Sequence, residues 1–272
     1  MRIVSFDAFR TLHIPGVHYV KPENYSRHLE LIREADWVLF PEYWQVHSIY
    51  YGLNPKIFPS LVTYHLGHNK IEMTRAFQVL CPGNIPDTDI LANTPDACRS
   101  LWERFDRPFV AKTPNSSEGN GVYLVDNELD WRRYCNAHPV LYVQQYLPID
   151  RDLRLVVIGR QVVAGYWRLQ STNGFHNNLA AGGRLDFSPA PVAAVELVNR
   201  VAQTLGIDHA GFDVAMAGGH PYILEFNRLF GNRGLREQNI RPAELIHAYL
   251  REKHSPEFTP PNNIPPAWPR AS

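Results

Sequence analysis

Gly211-Phe212-Asp213-Val214-Ala215 and Tyr222-Ile223-Leu224-Glu225-Phe226-Asn227 read as two strands joined by a Gly218-Gly219-His220-Pro221 turn. Glu225 and Asn227 lie two apart, so in an extended strand they share one face, and an antiparallel partner brings Asp213 beside them. Two carboxylates and an amide oxygen then converge, with no thiol or imidazole among them. That hard donor set suits Mg²⁺ that also holds the phosphates of a nucleotide. The chemistry it points to is phosphoryl transfer from ATP. The alternative is a hairpin whose polar residues simply face water.

The chain around this hairpin has 272 residues, 44% hydrophobic and 20% charged, enough for two or three packed lobes with their own cores. Its 27 basic residues balance 27 acidic ones, so the overall charge points to neither a nucleic-acid nor a membrane partner. Cys81, Cys98 and Cys135 have neither metal-like nor paired spacing and read as reduced structural thiols. No apolar run approaches the roughly 20 residues that span a bilayer, and Met1 to Asp7 reads as a first strand, not a signal peptide. A cytoplasmic location is the expectation.

Strand and helix signals alternate through the first sixty or so residues: a strand from Arg2 to Phe6, a helix from Asn24 to Glu34, a strand from Trp37 to Phe40 and a helix around Tyr43 to Tyr51. This predicts a short α/β lobe over residues 1–66. Leu66 to Leu80 reads as one helix, and Thr94 caps another running from Pro95 to Phe105. Strands follow at Asp89 to Ala92, Pro108 to Lys112, Gly121 to Val125 and Val140 to Gln144, with a helix near Leu129 to Asn136. A third part holds strands at Leu153 to Ile158 and Gln161 to Arg168, a helix from Pro191 to Leu205, the hairpin, and a helix from Pro242 to Lys253. The proline-rich residues 255–272 read as a tail.

Phe109 to Val122 places Lys112 at a strand end, then the Ser/Gly-rich turn containing Ser117 and Gly119, then a second strand. Backbone N–H groups in such a turn can point at phosphate oxygens while Lys112 supplies charge; an ordinary hairpin is the competing account. Lys70 opens a helix that can reach the same phosphates, or is a solvated surface residue. The segment Gln144-Gln145-Tyr146-Leu147 is either an edge for an adenine ring or a linker strand. Asp152 and Arg154 share a strand face, as ribose and phosphate partners or as a plain ion pair. Arg168 ends a strand, where it stabilises charge on a transferred phosphoryl group or makes a cross-strand pair.

The order of these elements, through Asn178 before Gly182-Gly183 to Asp213, Glu225 and Asn227, resembles the ATP-grasp superfamily and within it the RimK-like amino-acid ligases. The resemblance covers about residues 67–235. It implies an ATP-grasp domain over residues 67–254, an ATP-binding lobe to residue 146 and a metal-binding lobe from 147, clamping ATP between two α+β lobes. Lys70 and Lys112 would hold phosphates, Gln145 to Leu147 the adenine, and Asp213, Glu225 and Asn227 one or two Mg²⁺ ions, or Mn²⁺ in their place. Arg154 and Arg168 would face the γ-phosphate and an acyl phosphate, with Asn178 on phosphate or metal. The implied activity is ATP-dependent, ADP-forming ligation of a carboxylate to an amine, on an amino acid or peptide. Two rivals stay open: an ATP-binding sensor or scaffold without turnover, and an ATP-grasp kinase. A homo-oligomer is compatible with either.

The chain departs from that pattern in three places. Gln145 stands where relatives carry glutamate; His176, Ala180 and Ala181 replace basic residues; and Arg228-Leu229-Phe230-Gly231-Asn232-Arg233-Gly234 replaces a small Ser-Pro-Gly turn. The last change offers Arg228, Arg233 and Arg236 as anchors for an anionic substrate. The aromatic residues Trp37, Phe40, Tyr43, Trp44, Tyr50 and Tyr51 either pack the first lobe or line an acceptor pocket.

Overall fold

The computed structural model describes residues 1–114, 121–169 and 184–254. Three sheets organise them. The first is parallel, with β1 (Ile3–Ser5), β2 (Val17–Tyr19), β3 (Trp37–Leu39) and β4 (Ile57–Phe58) in the order β2-β1-β3-β4. Its connections hold α1 (Ala8–Thr11), α2 (Leu29–Arg33) and α3 (Tyr43–Gly52). Parallel strands are buried on both faces, so β1 and β3 carry no exposed residue. The helix read over Asn24 to Glu34 is broken: a 3₁₀ helix at Pro22–Arg27 ends at His28, whose φ of −123° is not helical, before α2 begins.

The helix read over Leu66 to Leu80 is also two, α4 (Leu61–His68) and α5 (Lys70–Leu80). Asn69 divides them in extended conformation, and its side chain accepts from Ile71 N and Glu72 N to cap α5. The second sheet is antiparallel: β5 (Thr88–Ala92), β6 (Phe109–Lys112), β7 (Val122–Val125) and β8 (Val140–Gln145), ordered β5-β8-β6-β7. Phe109, Ala111, Leu141 and Val143 turn one face toward α6 (Pro95–Arg104) and α7 (Glu128–Ala137). Thr94 caps α6 through Ala97 N, as its sequence predicts.

The third sheet, ordered β11-β10-β9-β12-β13, holds β9 (Arg151–Ile158), β10 (Gln161–Leu169), β11 (Arg184–Asp186), β12 (His209–Ala217) and β13 (His220–Asn227). Leu153, Leu155 and Val157 of β9, with Ala210, Phe212 and Val214 of β12, pack under α8 (Val192–Leu205) and α5. On the opposite face Val156 and Ile158 meet Phe230, Leu235 and Tyr249 from the segment that forms α9 (Arg233–Glu237) and α10 (Pro242–His254). The same face at the other end of β9 carries Asp152 and Arg154. Period-two alternation thus makes one side of the sheet wholly apolar and splits the other between core and charge.

The hairpin turn is Gly218-Gly219, with φ of 58° and 79°. His220 and Pro221 open β13 and do not belong to the turn as first read. Proline is tolerated there because β13 is the sheet edge.

Candidate active site

Asp213 pairs with Glu225 across β12 and β13, and Gly211 with Asn227. The pairing is not regular. Val214 faces Ile223, which leaves Leu224 as an extra residue on β13. This bulge resolves a conflict of parity: Ile223 and Phe226 both enter the core, yet Glu225 and Asn227 both face the opposite side. Asn227 Nδ2 lies 3.3 Å from Glu225 Oε1 and 3.5 Å from Asp213 Oδ2, so the three side chains reach one point.

Cations surround that point. Arg154 Nε and Nη2 donate to Asp213 at 2.5 and 3.2 Å, and Arg168 Nη2 donates to the same carboxylate at 3.0 Å. Arg168 also grips Asp152 with two bonds of 2.6 Å. Asp152 and Arg154 therefore do not pair along their own strand; each pairs across strands, and neither is exposed. Burial alone would raise Asp213, but the two guanidiniums outweigh it and hold the carboxyl below the usual range. Burial would likewise lower Arg168, and its two carboxylates reverse the sign.

Gly211 makes this geometry available. A Cβ there would lie 2.6 Å from Arg154 Nη1, so only glycine lets the guanidinium lie flat on β12.

Lys70, the first residue of α5, sits 2.9 Å from Glu225 Oε2. One turn on, Thr74 Oγ1 meets the Tyr142 hydroxyl at 2.6 Å, so α5 touches both the hairpin and the second sheet. Tyr142 in turn lies beneath Lys112, whose Nζ is 5.6 Å from the ring centroid. Lys112 is buried on the face of β6 opposite its apolar core. Burial pushes its ammonium down to about 8, against the opposing fields of Glu225 and Asp213 and with help from Lys70.

Gln144 is buried, and its Nε2 donates to Thr88 Oγ1 at 2.8 Å, so its side chain belongs to the β5-β8 pairing. The Gln145 backbone N–H donates to Asp87 O at 2.8 Å, and Tyr146 and Leu147 leave the sheet just beyond. Ser117, Gly119 and Asn178, along with His176, Ala180 and Ala181, lie outside the described residues, as does the proline-rich tail. Of the six aromatic residues, Trp37 and Phe40 are core, whereas Trp44 and Tyr51 stand exposed on α3. Sequence reasoning did not find Gly211 or Tyr142, and nothing local in the sequence marks either as part of the site.

Among the described residues no three His, Cys, Asp or Glu side chains gather at one metal-sized point. The hairpin's donor set has two carboxylates and an amide, oxygen donors fit for a hard cation once Asn227 turns its Oδ1 inward. No helix among the described residues is long and apolar enough to cross a membrane.

A β-sheet that offers a buried lysine and a second sheet that offers arginine-clamped carboxylates are the parts that the resemblance to the ATP-grasp superfamily implies. The chain belongs to the family described as the RimK-like ATP-grasp domain, which matches residues 70–250. It is similar to a probable alpha-L-glutamate ligase of Citrobacter koseri, 30% identical over 196 residues, 68% of this chain and 64% of that protein. The ribosomal protein bS6--L-glutamate ligase of Salmonella paratyphi B matches to the same extent. The chain thus spans 64% of the length of these relatives.

The fold matches a RimK domain ATP-grasp protein from Sphaerobacter thermophilus with a TM-score of 0.70 at 15% identity, over 92% of this chain and 99% of that one. It also matches D-alanine--D-alanine ligase from Bacillus anthracis in complex with ATP, with a TM-score of 0.66 at 13% identity over 93% and 98%.

Proposed function

We propose that this protein is an ATP-dependent, ADP-forming carboxylate–amine ligase that makes an amide bond on an amino acid, peptide or protein substrate. The observation that carries the reading is the convergence of Asp213, Glu225 and Asn227 with Lys70, Arg154 and Arg168. Family membership and relatives named as glutamate ligases support it.

In this reading Lys70 and Lys112 bind the phosphates of ATP, and the backbone after Gln145 receives the adenine. Asp213, Glu225 and Asn227 are the Mg²⁺ ligands; the ion, when bound, neutralises charge on the phosphates. A substrate carboxylate attacks the γ-phosphorus, the bond to the β-phosphate oxygen breaks, and ADP leaves. The amine then attacks the acyl phosphate carbon, inorganic phosphate departs, and the amine proton goes to solvent. Arg154 and Arg168 stabilise the charge that develops, and their position is fixed beforehand by Asp213 and Asp152. No side-chain nucleophile takes part.

The test is ADP release from Mg-ATP across amino acids and short peptides, singly and in pairs, with mass spectrometry of the products. A product one water lighter than its summed reactants supports the ligase. A stable phosphorylated product without an amine would replace it with a kinase, and ATP binding without ADP under every condition would replace it with a non-catalytic binder.

A further inference from the structure

The three arginines after the hairpin are treated differently by the fold. Arg233 and Arg236 lie exposed on α9, and Arg233 is already paired with Glu237 at 2.8 Å. Arg228 is half-buried directly after Asn227, its guanidinium 5.0 Å from the centroid of the Tyr64 ring. Tyr64 is fully buried, and its hydroxyl donates to Pro41 O at 2.7 Å, so the ring is a fixed platform. The stem of Arg228 packs on Gly67, where an added Cβ would lie 3.2 Å from Arg228 Cβ.

The backbone is fixed as well. His209 donates from Nδ1 to Arg228 O at 2.9 Å, and its ring is stacked on Phe230 at 4.7 Å and edge-on to Phe40 and Phe58. Burial pushes His209 down to about 3, so this histidine stays neutral.

What Arg228 lacks, among the described residues, is a paired carboxylate. Arg154 and Arg168 have Asp213 and Asp152, and the nearby Arg10 has Asp7 at 3.2 Å. No carboxylate pairs with Arg228 among the described residues. A half-buried guanidinium held over an aromatic ring still presents its planar fork of donors, and that fork matches a carboxylate. The residue also sits one position beyond a proposed metal ligand, about 3.3 Å along the chain, at the seam where α4 of the first lobe meets β13.

We propose that Arg228 on Tyr64 is a carboxylate-recognition subsite that anchors a substrate through a carboxylate other than the one that reacts. The substrate assignment rests on the ligase reading; the binding chemistry does not. Two sources can supply that group, an acidic side chain or the terminal carboxylate of an amino acid or peptide.

Three probes separate them: L-glutamate, L-glutamine, and the α-amide of L-glutamic acid. Each is titrated calorimetrically into the full chain with Mg²⁺ and a non-hydrolysable ATP analogue. L-glutamate is expected to bind, and Arg228→Gln to weaken it about tenfold or more, the scale of one charged hydrogen-bonded contact. Weak L-glutamine assigns the side-chain carboxylate, a weak α-amide assigns the terminal one, and either preference should vanish in the variant.

Arg228→Lys keeps the charge but not the fork, and is expected to recover only part of the loss. It also decides the case if the glutamine variant fails to fold. Unchanged L-glutamate binding in both variants, or no binding of any probe to the parent chain, overturns the subsite. ADP release reads the ligase separately. Binding sensitive to Arg228 without ADP release under any substrate pair defeats the ligase and leaves the subsite, whereas ADP release with binding indifferent to Arg228 does the reverse.

Discussion

Asp208 and Asp213 are five residues apart on one stretch of chain, both almost fully buried, and the structure gives them opposite electrostatics. Asp213 lies between two guanidiniums and is held below the usual carboxylate range. Asp208 has no ion-pair partner within bonding distance among the described residues. It accepts from Ser60 N at 2.7 Å, from Thr63 Oγ1 at 3.4 Å and from Tyr249 O–H at 3.4 Å, and burial raises it to about 6. One carboxylate is thus kept ionised beside the candidate site; the other clasps the start of α4 to the central sheet. Burial alone decides neither role. The neighbours do.

The largest effect should come from breaking the clamped carboxylate. Asp213→Asn leaves Arg154 and Arg168 short of a buried counter-charge, a loss on the order of 3–5 kcal/mol for such pairs. In the proposed ligase it also replaces an anionic metal donor with a neutral amide oxygen, so ADP release should fall by about two orders of magnitude or more. Urea unfolding and ADP assays check both. A variant with parental stability would show that the two arginines do not depend on Asp213.

Gly211→Ala attacks the same clamp without touching its charges. The new methyl would meet Arg154 Nη1 at 2.6 Å and Cδ at 3.0 Å. Displacing the guanidinium should cost roughly 1–3 kcal/mol, the usual range for overpacking, and should lower ADP release about tenfold, the rate equivalent of losing about 1.4 kcal/mol of transition-state stabilisation. Gly83→Ala is the control, since a Cβ there meets nothing within 4 Å. Equal behaviour of the two variants would sink the argument that glycine is required beside Arg154.

The hairpin, its two facing strands and the Asp213 to Glu225 pairing were legible because strand alternation and a Gly-Gly turn are local signals. So was the Thr94 cap. The bulge at Leu224 was not, since its cause is the demand that Ile223 be core while Glu225 is not, and only the packed sheet imposes that. Asn69 was misread inside one long helix although asparagine is a strong capping residue; the apolar period ran across it. Which carboxylate each arginine grips, and the bond from Ser60 to Asp208 across 148 positions, depend on tertiary neighbours that no window of sequence contains. β2 is as long as β1 and β3 but exposes His18 and Tyr19, so it lacks their apolar run, and β4, with two residues, carries too short a pattern to read.

Lys112 extends the comparison to a cation. Like Asp208 it is buried and forms no ion pair among the described residues, and its folded value of about 8 lies below the ordinary 10.5. A depressed lysine penalises the folded chain at pH below 8, and that penalty fades as pH rises from 8 toward 10.5. Nucleotide affinity should run the other way. Phosphates favour the charged form, so the Kd for Mg-ATP should rise roughly tenfold between pH 7 and pH 9.5, the scale of a charged hydrogen bond. Lys112→Met should bind weakly throughout and lose that slope. Lys70, Glu225 and Asp213 act on the Lys112 charge and remain in both proteins, so only the difference between the two curves reports on Lys112. A parental pH slope in the variant would remove Lys112 from the phosphate site.

The smallest effect is the most direct test of the contrast between the two aspartates. Asp208 is raised in the folded chain from 3.8 to about 6, so the folded state binds its proton more tightly than the unfolded one. Stability therefore falls as pH rises from about 4 to about 6, and the charged carboxylate remains a liability above that. Asp208→Asn keeps an oxygen for Ser60 N and Thr63 Oγ1 while removing the charge. Its unfolding free energy at neutral pH should lie within about 1 kcal/mol of the parent, because the lost ionisation penalty offsets the weaker hydrogen bonds. Measured by urea unfolding at pH 4.5, 5.5 and 6.5, the parent should lose roughly 1–2 kcal/mol relative to the variant across that window. Parallel curves would mean that Asp208 titrates like an ordinary carboxylate. The two ends of the comparison would then differ only in whether an arginine is present, and burial at Asp208 would carry no electrostatic consequence.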